Sequence, residues 1–336
     1  MQTKVLCIGD PHFRLDNVME SNEMTDKLIK LSNNIKPDLI VVMGDLLHTH
    51  EKIHVNPLMR AEQMIYSLSQ ISPTVLLIGN HDRPNNSNFL TEEHPFNAMK
   101  YWKNVTIADK VLQMIIKQHK FLFVPYVPPG RFAEALETLG CSIEGTSGIF
   151  CHQEFYGAKM GIIVSKEGDK WSLENPLIIS GHIHDYDRPQ PNIIYVGTPL
   201  QTGYNEEGKT VSTFTFDNTS DDGWQEDRID LGLIKKIIVH LTPEEIHSYQ
   251  PVSNCLIKIV IQGDDAALKS ISKLEKIKQL KKMGIKIAYK TTSQETSTEK
   301  RRGLILKLTY KDRLYTEVCR EKLELDMFNK LFRVAM

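Results

Sequence analysis

A chain of 336 residues has room for about two domains and a sizeable core, which excludes a disulfide-stapled mini-protein. Hydrophobic residues at 41% and charged residues at 25% are globular proportions, and no run approaches the roughly 20 apolar residues of a membrane helix, so the sequence reads as soluble, with no membrane partner. The net charge of −1 hides an asymmetry, because residues 1–234 carry 20 Lys and Arg against 30 Asp and Glu, and residues 235–336 carry 21 against 12. Either a basic module meets a polyanion while an acidic one collects cations, or a lysine-rich helix face is simply solvated.

The first nine residues read as a strand and carry neither the long apolar stretch nor the cleavage site of a signal peptide. Continuous apolar runs of strand length follow at residues 5–8, 39–43 and 75–78, separated by amphipathic segments near 21–35 and 57–70. That alternation predicts βαβ units in a mostly parallel sheet covered on both faces. Runs at 111–116, 120–124, 147–151, 177–180, 193–196 and 211–216 lie too close together for helices between several of them. They predict a second, partly antiparallel sheet, and hence an α/β body with αββα layering. The polar stretch 217–223 reads as a hairpin turn. The domains are expected at 1–234 and 235–336, the second a smaller α+β unit. Its elements are a strand at 255–262, a helix at 265–282, strands at 285–290 and 303–308, and a C-terminal helix at about 312–333. The helix at 265–282 opens on Asp264 and Asp265, carries the stripe Leu268, Ile271, Leu274 and Ile277, and is followed by Gly284. Lys269, Lys273, Lys276, Lys281 and Lys282 lie off that stripe, and segment 291–302, which includes Arg301 and Arg302, reads as a polar loop. Five scattered cysteines, odd in number and without a Cys-x-x-Cys pair, suit a reducing, cytoplasmic compartment.

Five motifs stand at predicted strand ends, where α/β sheets present functional loops. They are Gly9-Asp10-Pro11-His12, Gly44-Asp45-Leu46-Leu47-His48, Gly79-Asn80-His81-Asp82, Cys151-His152-Gln153 and Gly181-His182-Ile183-His184. Asp, His and Asn are the oxygen and imidazole donors of divalent transition metals. In extended chain, residues i and i+2 face the same side, so Asp-x-His and His-x-His would each present a ligand pair. The glycines are expected to supply sharp turns. One histidine is more often structural than a ligand, but ten polar residues at five strand ends point to a two-metal site. Mixed oxygen and nitrogen donors without thiolate suit Mn²⁺, with Mg²⁺, Fe²⁺ or Zn²⁺ as alternatives. Cys151 reads as a buried strand-end residue.

The ordered series resembles the calcineurin-like metallophosphoesterase superfamily over about the first 200 residues. The resemblance implies Asp10, His12 and His184 on one metal, Asn80, His152 and His182 on the other, Asp45 bridging, and His81 as a catalytic histidine oriented by Asp82 or a backbone carbonyl. Gly44-Asp45-Leu46-Leu47-His48 lacks the arginine of phosphoprotein phosphatases. It is similar to the SbcD and meiotic-recombination branch of DNA repair nucleases, in compact phage- or virus-like form, as are His152-Gln153 and Tyr195-Val196-Gly197-Thr198-Pro199. That branch implies His48 as a phosphodiester contact, although a surface or supporting histidine is the plainer reading. It also implies a cap domain that holds DNA, for which Lys269, Lys273, Lys276, Arg301 and Arg302 are candidates, and an SMC-like coiled-coil ATPase partner. The apolar positions Leu314, Val318, Leu325, Phe328, Leu331 and Phe332 would serve ATPase docking or cap packing equally well. Family members dimerise through nuclease-domain helices, for which 57–70 and 94–103 are candidates. The leading expectation is a Mn²⁺-dependent DNA nuclease, exonuclease or endonuclease, of repair or recombination. The rivals are a nucleotide or small-molecule phosphodiesterase or phosphatase on the same fold and a non-catalytic scaffold.

Overall fold

The structure, a computed structural model, describes residues 1–50, 52–161, 163–204, 206, 209–220 and 222–292. The expected strand 303–308, the C-terminal helix, and Arg301 and Arg302 lie outside the described residues. By contact density the chain divides into two units, one of Met1–Ile237 with Val252–Leu256, the other of Ile238–Pro251 with the residues from Ile257 onward. Among the described residues no helix is long and apolar enough to cross a membrane.

In the first unit the chain runs β1 (Thr3–Ile8), α1 (Val18–Ile35), β2 (Leu39–Val42), α2 (Val55–Ser69), β3 (Thr74–Leu77), β4 (Val105–Ala108), β5 (Leu112–Ile116) and β6 (His119–Val124). It continues through α3 (Phe132–Glu137), β7 (Gly148–Cys151), the short pair β8 (Lys159–Met160) and β9 (Ile163–Val164), β10 (Ile178–Ser180), β11 (Asp187–Gln190), β12 (Ile193–Tyr195), β13 (Val211–Phe216) and β14 (Trp224–Ile229). One six-stranded sheet has the order β14-β13-β1-β2-β3-β4, the other β11-β12-β10-β7-β6-β5. β1 to β4 are mutually parallel, as are β6, β7, β10 and β12, while β13, β14, β5 and β11 pair antiparallel at the edges.

Alternation along the strands builds the layers. In β1, Leu6 and Ile8 meet Met24 and Leu28 of α1 and Met64 and Leu68 of α2, whereas Val5 and Cys7 face Phe121, Phe123 and Phe150 of the other sheet. The outer face of the second sheet, with Leu122, Ile149 and Ile178, is covered by Phe132, Ala135 and Leu136 of α3 and by Phe155 and Trp171. The result is the expected αββα sandwich, and continuous apolar runs are what strands covered on both faces require. α1 ends where Lys36 turns left-handed with its N–H on Ser32 O, immediately before Pro37. β13 and β14, on either side of the segment expected to turn, pair antiparallel.

From residue 235 onward the chain forms a three-stranded sheet, β15 (Lys235–Leu241), β16 (Cys255–Gly263) and β17 (Lys286–Thr291), in that order, with β16 and β17 parallel. The helix expected at 265–282 is two helices, α4 (Asp265–Ile271) and α5 (Glu275–Lys282), separated where Leu274 becomes extended. The spacing explains the break. Apolar residues every three positions drift by about 60° per step on a helix of 3.6 residues per turn, so Leu268 and Ile277 would lie on opposite faces of one straight helix. Two helices bury Leu268 and Ile271, then Ile277 and Leu280. β15 escaped the sequence reading because Lys235, Lys236 and His240 interrupt its apolar run.

Candidate metal centre

Every candidate ligand lies just past the C-terminal end of a parallel strand: Asp10 and His12 after β1, Asp45 after β2, Asn80 after β3, His152 after β7, and His182 and His184 after β10. Both sheets therefore deliver side chains to one edge, where α/β folds place their ligands. The first two loops are laced together by His12 N–H to Asp45 O at 3.0 Å and Phe13 N–H to Leu46 O at 2.9 Å.

Two expectations about backbone are corrected. Asp10, His12, Asp45 and His182 have φ of 23°, 46°, 47° and 77°, so these segments are not extended, and the i, i+2 argument does not account for the ligand pairs. The twist at His182 instead lets His182 and His184 serve different clusters. Left-handed φ at non-glycine residues costs on the order of 1–3 kcal/mol each, a strain that clusters at functional sites. Of the glycines, Gly44 has positive φ, but Gly79 and Gly181 are required for space. A Cβ on Gly79 would stand 2.2 Å from Asp45 Oδ1, and one on Gly181 2.5 Å from Asp10 Oδ1.

The side chains form two clusters. Potential ligand atoms of Asp10, His12 and His184 all lie within 4.8 Å of one another, with His12 Nε2 2.9 Å from His184 Nε2. In the second cluster, Asn80 Oδ1 is 3.0 Å from His152 Nε2 and 3.1 Å from His182 Nδ1. Asp45 lies between them, Oδ1 3.4 Å from His152 Nε2 and Oδ2 3.7 Å from His12 Nε2. The His152 Nδ1–H donates to Met43 O at 2.8 Å, which fixes the ring and aims Nε2 at the centre.

Charge and burial fit divalent cations. Both carboxylate oxygens of Asp10 are buried without a hydrogen-bond partner, and burial pushes this carboxyl up to about 8. Burial lowers the pKa of His12, His182 and His184, so neutral imidazoles present lone pairs. Burial alone would lower His152 as well, but Asp45 and Asp10 outweigh it and hold this ring up at about 9. Burial likewise opposes ionisation of Asp45, and His152 and His12 overcome it, so Asp45 stays ionised. Although His152 Nδ1 lies 3.5 Å from Asp10 Oδ1, the Asp10 oxygens accept no hydrogen bond, and beside the neutral rings of His12 and His184 they leave donor atoms free for a bound cation.

Around this centre His81 Nδ1–H donates to His48 O at 2.8 Å, leaving Nε2 4.0 Å from Asp45 Oδ2, with 29% of the side chain exposed. Asp82 does not orient that ring. Its buried carboxylate accepts the N–H groups of Leu46, Leu47 and Gly79, and so clamps the loop that carries Asp45 to the loop that carries Asn80. Burial and the Asp45 charge raise the Asp82 pKa to about 7. His48 stacks on His81 at 5.5 Å and puts Nδ1 3.3 Å from His12 Nδ1, while burial and the Arg14 charge lower its pKa. Sequence reasoning missed His50, which stacks on the other side of His81 at 4.5 Å, although the alternation His48-Thr49-His50 was its signal. The loop 125–129 also reaches the site, with the Tyr126 ring 6.3 Å from His152 and 6.0 Å from His182. Cys151 is a buried thiol, pushed by burial to about 12, as the sequence suggested. Of the candidate DNA contacts, Lys269 and Lys273 are exposed and Lys276 half-buried.

Residues 3–186 match the family model described as calcineurin-like phosphoesterase. The chain belongs to that family. It is 38% identical over 296 residues to the protein named Putative phosphoesterase 078R of Invertebrate iridescent virus 3, covering 86% of this chain and 84% of that protein. It is 39% identical over 276 residues to the one named Putative phosphoesterase 244L of Invertebrate iridescent virus 6, covering 80% and 97%. A solved structure titled GAP50, the anchor in the inner membrane complex of Plasmodium, aligns over 69% of this chain and 85% of its own, with 13% identity and a TM-score of 0.43. That likeness is too loose to carry an argument. The phosphoesterase is thus a metal-binding hydrolase by family, and Asp10, His12 and His184 form a candidate site for one divalent ion.

Proposed function

We propose that the phosphoesterase is a DNA nuclease that hydrolyses phosphodiesters with two divalent ions, Mn²⁺ foremost, held on either side of Asp45. The observation that carries this reading is the position of Asp45 between two clusters of complementary ligands, with His81 and His48 beside it. Bound there, two divalent cations supply Lewis-acid activation of the phosphate and of the attacking water. The chain's own residues do the rest. His81 Nε2, aimed by the His48 carbonyl, donates a proton to the departing oxygen. The imidazole of His48 orients the phosphate, and Asp82 holds Asp45 and Asn80 in register.

Exposed Lys269 and Lys273, together with the excess of 21 basic over 12 acidic side chains in residues 235–336, support DNA as the polyanion. Through the same resemblance we propose an SMC-like ATPase partner, whose docking helix at 312–333 lies outside the described residues, and a homodimer through α2, which exposes Met59 and Tyr66. A nucleotide or small-molecule phosphodiesterase is the second reading, favoured by the small groove beside His48.

The deciding experiment incubates purified protein and Mn²⁺ with labelled single- and double-stranded DNA and with bis-p-nitrophenyl phosphate, alongside His81→Ala. Cleavage of both substrates, lost in the variant, is expected. Ester hydrolysis without DNA cleavage or binding would replace the nuclease with the second reading.

A further inference from the structure

Beside the metal centre lies a groove of about 220 Å³ that the phosphoryl chemistry does not use. Buried Phe13 and Leu47 form its floor, joined by a parallel bridge that extends the pairing of the two ligand loops. Pro57 and the half-exposed Leu15 add apolar walls, and Arg14, Asp16 and His48 supply the polar side. The groove is smaller than the roughly 300–1,000 Å³ of pockets for drug-sized ligands, which limits it to a single ring system.

Its position is informative because His48 belongs to both spaces. The ring stacks on His81 and meets His12 edge-on, and it also lines the groove. A group that occupies the groove is therefore within reach of a covalent bond to the phosphate. Arg14 is fixed at the groove's polar side, its Nη2–H donating to Thr202 O at 2.7 Å and its Nε paired with the exposed carboxylate of Asp16 at 2.7 Å, which leaves Nη1 as the guanidinium nitrogen outside both contacts. Thr49 and His54 at the rim offer hydrogen-bonding groups to the edge of a flat ring. Apolar walls for a ring face, polar groups for its edge and a guanidinium toward phosphate are the combination that nucleotides use.

We infer that this groove is a nucleoside subsite, seating the base attached to the scissile phosphate. The inference rests on the phosphodiesterase reading for the origin of the phosphate, but base binding can be measured without turnover. Two measurements decide it. The first is saturation-transfer NMR of thymidine with metal-free protein, as wild type, Leu15→Trp and Leu15→Asn. The second is the ratio of kcat/KM for the 4-nitrophenyl ester of thymidine 5′-monophosphate to that for methyl 4-nitrophenyl phosphate, with Mn²⁺. Wild type should transfer saturation to the base and prefer the thymidine ester at least tenfold. Filling the groove with indole, or replacing its apolar wall with an amide, should each abolish the transfer and at least halve the preference. Tyr101→Ala, at a 92% exposed position outside the groove, should retain both. No transfer to wild type, or a wild-type ratio in either Leu15 variant, overturns the subsite. If neither ester is hydrolysed but thymidine binds and both Leu15 variants lose it, the subsite stands and the phosphodiesterase reading falls.

Discussion

On one side of Asp45, a second carboxylate with both oxygens unbonded faces two neutral imidazoles; on the other, a neutral amide and two imidazoles already hydrogen-bond one another. The Asp10 cluster thus brings two carboxyl groups within reach of a cation, which would displace the proton that burial favours on Asp10, and the Asn80 cluster only the shared one. Hard divalent ions bind more tightly as carboxylate charge accumulates. A cation entering the Asn80 cluster must also replace existing bonds from Asn80 Oδ1 to His152 and His182, whereas the Asp10 carboxyl oxygens accept no hydrogen bond that a cation must replace. The comparison teaches that the two proposed sites flanking Asp45 need not be equal: the Asp10 side is expected to fill first and the Asn80 side to set the metal requirement for turnover.

The largest effect should come from removing what the clusters share. Asp45→Asn is expected to lower hydrolysis of bis-p-nitrophenyl phosphate by roughly 1,000-fold or more, the several kcal/mol that paired cations supply, and to reduce bound Mn²⁺ at both sites. His81→Ala should cost about 100- to 10,000-fold in kcat while leaving metal content at two ions per chain, since its ring contributes a proton rather than a ligand. The asymmetry is broken most cleanly by Asp10→Asn against Asn80→Ala in calorimetric Mn²⁺ titrations. The first should remove the tight step, the second the weak step; the reverse assignment would refute the charge argument. Asp82→Ala should lower metal-free stability by roughly 1–3 kcal/mol, read as a shift in the urea midpoint, because three buried N–H groups lose their acceptor.

The smallest effect concerns a carboxylate outside both clusters. Burial opposes ionisation of Asp109, but hydrogen bonds from His94 and Lys100 outweigh it and hold the group at about 2, below the ordinary 3.8. Its contribution to stability is therefore complete above about pH 4 and is lost as pH falls through about 2. Metal-free Asp109→Asn should lose that part of the acid dependence in thermal melts, which separates ordinary ion pairing from effects of the centre.

Much of the fold was legible because strands covered on both faces must be continuously apolar, as residues 5–8 and 39–42 are, and because a helix between parallel strands must be amphipathic. The site residues were legible because their chemistry sits at strand ends. How they converge was not. Nothing in Asp10-Pro11-His12 announces two left-handed residues, and nothing in Gly79 or Gly181 distinguishes a glycine that turns the chain from one that makes room for a carboxylate. Asp82, adjacent to His81 in sequence, points instead to backbone amides of two loops, a consequence of tertiary approach that spacing does not encode. The division of α4 from α5 was encoded, in the three-residue spacing of Leu268, Ile271, Leu274 and Ile277, and required only the helical angle to read.

The central claim, two ions bridged by Asp45, is tested most directly by low-temperature EPR of protein titrated with Mn²⁺. Two ions per chain, the second addition converting an isolated six-line signal into an exchange-coupled spectrum that Asp45→Asn abolishes, is the result expected. A single uncoupled ion at saturation, or coupling that survives Asp45→Asn unchanged, would contradict it.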